Sequence, residues 1–159
     1  MTTTEHEPPA THRPQEPGLR YALITVAGWT LSKCLVQHML DPDTTGVARF
    51  LTPGQPLPMG VTPVVVADTT VGDAVHLEHL LRTWSNHLPR PWLVLVADAP
   101  APPPPAARYR HRALTGRLIG TATLPYLPVL RTVETTTDAM DHKTVRAAAR
   151  TLRTALEGN

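Results

Sequence analysis

Short apolar runs alternate along this chain with longer segments whose apolar positions recur every three or four residues. Residues 21–27 (YALITVA) form a run rich in strand formers that ends at Gly28, and 30–40 follows with Leu31, Cys34, Leu35 and His38 at helical spacing. The runs 64–68 (VVVAD) and 92–98 (WLVLVAD) stay apolar up to a closing Asp, the pattern of strands covered on both faces in a parallel sheet. Between them the spacing predicts a helix over 71–87, with Leu77, Leu80, Leu81, Trp84 and Leu88 facing inward. Thr70, three residues before Asp73, is its N-cap, and Pro89 and Pro91 close it. A helix over 106–118 and a strand over 119–124 follow. The series ends in a helix over 139–156, capped by Thr137 or Asp138, with Val145, Ala149, Leu152 and Leu156 on one stripe. Strands alternating with helices build right-handed βαβ units. The predicted fold is α/β, of open doubly wound type: a mostly parallel sheet of about four to six strands with helices on both faces.

Two stretches break this pattern. The first 18 residues hold four of the 18 prolines and no Leu, Ile, Val or Phe, too little apolar surface to offset ordering entropy, so 1–19 is predicted to be a disordered tail. From 41 to 63 there are five prolines and three glycines, which predicts a loop with at most one short strand near 48–51. Residues 20–159 then form a single domain.

Composition narrows the function classes. No apolar run approaches the ~20 residues of a bilayer span, and the opening segment has neither the apolar core of a secretory signal nor the acid-poor character of a transit peptide. The expectation is a cytoplasmic protein with no membrane partner. Cys34 is the sole cysteine, which excludes an intramolecular disulfide or a multi-cysteine metal site within the chain. The formal charge is +2, and all basic residues except Lys33 and Lys143 are Arg.

Several side chains carry candidate chemistry. Asp68 and Asp98 close two strands at the edge where open parallel sheets bind ligands, so they read either as a paired-carboxylate site or as turn residues capping the helices that follow. Arg108, Arg110 and Arg112, with Tyr109, His111 and Arg117, make the densest basic cluster. Lys143, Arg146, Arg150 and Arg153 recur at spacings of three, four and three on the last helix. The first set suits phosphates or an acidic partner, yet a net charge of +2 favours ordinary solvated faces for both. His76 and His79, with Glu78 between them and Asp73 one turn earlier, have no further ligand converging on them and read as exposed helix residues, so no metal is expected. Cys34 reads as a packing cysteine, Trp84 and Trp92 as core. Trp29 stands at an exposed turn, filling a pocket or anchoring a partner.

The succession ALITVAGWTLSKCL, TPVVVADTTVGDAVHLEHLL, PWLVLVADAP and IGTATLPYLPVLRTVE resembles a shortened ParA/MinD-type P-loop ATPase over roughly residues 20–157. It is also similar to small proteins of actinobacterial plasmids and integrative elements in which the phosphate loop is eroded. The resemblance implies a glycine-rich phosphate loop after the first strand, a Thr-Thr turn after a later one, and a nucleobase-contacting turn at VLVADAP. On that footing Gly28, Thr30, Ser32 and Lys33 are the nucleotide- or anion-binding positions, and Trp29, Asp68 and Asp98 border the pocket. The departures are large. A working loop needs successive glycines, a Lys and an adjoining Ser or Thr for magnesium; here there is one glycine, Trp29 where the backbone should be bare, and Cys34 after Lys33. The strand that would present a magnesium-associated Asp is missing from 41–63. The resemblance therefore implies a non-catalytic, degenerate ParA/MinD-like scaffold of a mobile element or phage-like system. It would act through an unknown protein partner or non-specific DNA, with a homodimer as a further option and no cofactor, ATP and magnesium being disfavoured. Two alternatives stand beside it: a weak nucleotide-binding or hydrolysing switch built on 28–34, and a small structural subunit of an assembly.

Overall fold

The computed structural model describes residues 18–158, so most of the predicted tail lies outside the described residues. Five strands, β1 (Tyr21–Thr25), β2 (Ala48–Phe50), β3 (Thr62–Asp68), β4 (Trp92–Val96) and β5 (Gly120–Leu124), form one all-parallel open sheet in the order β2-β1-β3-β4-β5. The predicted fold class holds. Helices α1 (Leu31–Leu40), α4 (Thr136–Met140) and α5 (Lys143–Glu157) cover one face. On the other face α2 (Val71–Arg82) and α3 (Pro105–Leu114) pack Leu77, Leu81 and Leu114 over Val65, Ala67, Leu93 and Leu95.

The centre of the sheet follows from β3. Val64, Val65, Val66 and Ala67 are all fully buried, because successive side chains enter the two opposite cores. Pro63 is tolerated within this central strand because Thr62 N–H already turns to β1 at Arg20 O. Pro63 thus faces the β4 side, where pairing begins only at Val64 opposite Trp92. Trp92 is 6% exposed and stacks where Gly120 of β5 sits beside it; a Cβ on Gly120 would lie 2.5 Å from its ring.

The Pro-rich stretch holds the short strand expected there, β2, pinned by a staple at the end of α1. Asp41 accepts from the Thr45 and Gly46 amides at 2.8 and 2.7 Å and from the Thr45 hydroxyl. Burial opposes ionisation of Asp41, but these hydrogen bonds together outweigh it and hold the carboxyl below its ordinary range. Gly46 has φ +89°, a left-handed conformation that suits glycine, and the chain then enters β2.

Helix boundaries depart from the sequence expectation, each for a local reason. The α2 helix starts as predicted, with the Thr70 hydroxyl accepting from Asp73 N, but ends at Arg82 rather than at His87. The Thr83 hydroxyl bonds His79 O and Leu80 O, and Trp84 Nε1 donates to Pro89 O, so the chain peels away. Leu88 is consequently exposed and Trp84 only half-buried, against their expected inward placement. The α3 helix gives way at Leu114 to a 3-10 turn over Thr115–Arg117 rather than running to 118. The single helix expected over 139–156 is two: α4, capped by Thr135 rather than Thr137 or Asp138, and α5. The Arg146 guanidinium occupies Met140 O and Asp141 O, carbonyls that a continuous helix would use internally.

Candidate functional site

The order β2-β1-β3 makes the crevice beyond the carboxyl ends of β1 and β3 the topological switch point, the place where open α/β sheets bind ligands. Its centre is Lys33. The chain leaves β1 through Ala27, whose φ of +54° turns it sharply, so the left-handed residue is Ala27 rather than Gly28. Thr30 then caps α1: its hydroxyl accepts from Lys33 N at 3.2 Å and pairs with the Ser32 hydroxyl at 3.2 Å. One turn of helix carries Lys33 back under the loop, where it is 1% exposed.

Four oxygens surround its ammonium. Nζ donates to Val26 O at 2.8 Å and Gly28 O at 2.9 Å, and lies 2.8 Å from Asp73 Oδ2 and 3.8 Å from Asp68 Oδ2. Asp73 Oδ2 also accepts from Asp68 N at 2.7 Å, tying the first turn of α2 to the end of β3. Asp68 has a different balance. Its Oδ1 is buried without a partner, and burial, reinforced by Asp73 and Asp98, raises its pKa against the pull of Lys33. Three carboxylates thus share this edge with one buried lysine. Asp98 is exposed and meets the cluster through Thr69, whose hydroxyl donates to Asp98 Oδ1 at 2.6 Å.

Of the sequence candidates, the structure brings together Gly28, Lys33 and Asp68, with Asp98 joined through Thr69. Gly28 contributes a carbonyl to lysine, and Thr30 and Ser32 bond to each other at the helix start. Trp29 is 58% exposed and packs edge-on against Phe50 of β2, centroids 4.7 Å apart. Asp73 is the cluster member that sequence reasoning missed: expected among the exposed polar residues of the helix beside His76 and His79, it is 7% exposed, and its only local signal is an acidic side chain in the first turn of α2.

The basic residues do not form one face. Arg108, Arg110 and Arg112 belong to α3, on the opposite side of the sheet from α5. Arg110 pairs with Glu78 at 3.2 Å, while Arg108 and Arg112 are exposed. On α5, Arg146 and Arg153 spend their guanidinium groups on backbone, Arg153 donating to Met39 O at 2.6 Å at the end of α1. Lys143, Arg146 and Arg150 remain exposed. His76 and His79 are exposed, and Cys34 is half-buried. Among the described residues no group of three or more His, Cys, Asp or Glu is placed to hold a metal ion, and no helix is long and apolar enough to cross a membrane. No family model, curated protein or solved structure matches the chain.

Proposed function

We propose that this protein is a non-catalytic, degenerate ParA/MinD-like module that keeps the α/β scaffold and works by contact with a partner. The observation that carries the reading is the orientation of Lys33. A phosphate-binding lysine must offer its N–H groups to the ligand; here they are spent on Val26 O, Gly28 O and Asp73 Oδ2. An incoming phosphate would have to extract the ammonium from a buried pair and would then face Asp68 and Asp73 uncompensated. Cys34 supplies no hard oxygen for magnesium, and β2, beside β1, presents Ala48, Arg49 and Phe50 and no carboxylate.

Protein is favoured over DNA as the partner. Of the basic residues on α3 and α5, the exposed ones are divided between Arg108 and Arg112 of α3 and Lys143, Arg146 and Arg150 of α5 on the opposite side of the sheet, too few on either face for the salt-dependent phosphate grip of a DNA-binding surface. The test is calorimetric titration of the full chain with ATP and with ADP, each with magnesium. The expected result is no heat of binding. Micromolar binding that Lys33→Ala abolishes would overturn the reading and restore the nucleotide switch.

A further inference from the structure

A second feature of the ligand edge lies beyond the ends of β4 and β5, beside the Lys33 cluster. It is a cavity of about 140 Å³ with apolar walls that include Val96, Leu124 and Leu127 and four polar side chains, Ser32, Tyr126, Asp98 and Arg131, of which only the last two are charged. Asp98 is held in place. Thr69, 2% exposed and anchored by its amide to Val96 O at 3.1 Å, bonds Asp98 Oδ1 through its hydroxyl and accepts from the Asp98 amide at 3.4 Å. A carboxylate fixed by a buried hydroxyl is preorganised, and its Oδ2 has no protein donor among the described residues. Arg131 closes the 3-10 turn Pro128–Arg131 and, among the described residues, pairs with no carboxylate, Asp98 included.

One apolar cavity is therefore lined by an anion and a cation that do not neutralise each other. A ligand that satisfies both carries an ammonium for Asp98, a carboxylate for the forked donors of Arg131, and an apolar body for the leucine and valine walls. The size limits it further, since pockets for drug-sized ligands run about 300–1,000 Å³. We propose that this cavity binds a small apolar α-amino acid, with its ammonium on Asp98 Oδ2 and its carboxylate on Arg131. The proposal does not depend on the reading of Lys33, which does not line the cavity.

The experiment is thermal unfolding of the full chain with L-leucine, and in parallel with isoamylamine, which lacks the carboxylate, isocaproate, which lacks the ammonium, and glycine, which lacks the apolar body. L-leucine is expected to raise Tm saturably, by roughly 5–10 °C at a hundredfold excess over Kd. Each of the three incomplete probes should bind at least about tenfold more weakly. Asp98→Asn and Arg131→Gln, both at exposed positions, should keep the unliganded Tm and lose the response to leucine. No shift with millimolar leucine, an equal shift with isoamylamine and isocaproate, or an undiminished shift in both variants would each overturn the proposal.

Discussion

Replacing Lys33 by Met isolates the electrostatic role of the buried ammonium, because Met keeps an unbranched apolar stem of similar reach and removes only the charge and its donors. In the native protein the ammonium neutralises Asp73 at 2.8 Å and satisfies two backbone carbonyls, with both partners almost out of solvent. Deleting one member of such a pair leaves a buried charge uncompensated, which costs roughly 3–5 kcal/mol. Two carbonyls also lose their donor. For a domain of this size each kcal/mol moves Tm by about 2–4 °C, so a fall of roughly 6–20 °C is expected in a circular-dichroism melt at neutral pH. The double variant Lys33→Met with Asp73→Asn removes the stranded charge as well, and should recover roughly 1–2 kcal/mol of the loss through the coupling between the two sites. If Lys33 instead swung freely in solvent, the pair would be worth no more than a surface ion pair, ~1 kcal/mol or less. A loss that small for Lys33→Met, or a double variant no more stable than the single one, would refute the buried cluster and with it the main support for a non-catalytic site.

Two further outcomes follow from the same core. Because the Asp68 pKa is raised by burial, the native state holds its proton more tightly than the unfolded chain does. The stability this gives is full at low pH and is lost as pH rises through the folded pKa. Asp68→Asn should therefore be more stable than the parent near pH ~8 and lose that advantage on acidification, read as urea midpoints across pH; an advantage that grows on acidification would contradict the sign. Gly120→Ala would place a methyl 2.5 Å from the Trp92 ring and should cost roughly 1–3 kcal/mol by overpacking. Adding Trp92→Leu to open the space should make the alanine tolerable, and a fully stable Gly120→Ala on its own would show that the two do not meet.

The sheet was legible in the sequence because its physics is local to each strand: a strand buried on both faces admits almost nothing but β-branched and aliphatic side chains, and β3 and β4 show that plainly. The helix start at Thr70 was legible for a similar reason, since an N-cap acts within three residues. The end of α2 and the break between α4 and α5 were not. The stop after Arg82 depends on which carbonyls the Thr83 hydroxyl takes, and the break between α4 and α5 on where the Arg146 guanidinium folds back, and neither choice is visible in hydrophobic periodicity. The α1–α5 contact is harder still: Arg153 reaches Met39 O from 114 residues away in the chain, so a residue read as part of an open basic stripe is a strut between helices.

The candidate site was half legible, and the missing half is topological. Lys33 stood out through the resemblance to a phosphate loop, and Asp68 as an acid closing a buried strand. That they meet depends on β1 lying beside β3, and the sequence alone does not fix that pairing. The basic residues did hold one clue. All but two are Arg, and one of the two exceptions is Lys33. A guanidinium is a planar fork suited to flat, bidentate partners, whereas an ammonium is a compact point charge on a flexible stem, able to donate in three directions at once. Two carbonyls and a carboxylate arranged around a buried point require the latter. At Lys33 the compact ammonium fits that inward cage of oxygens, donating to Val26 O and Gly28 O while it pairs with Asp73.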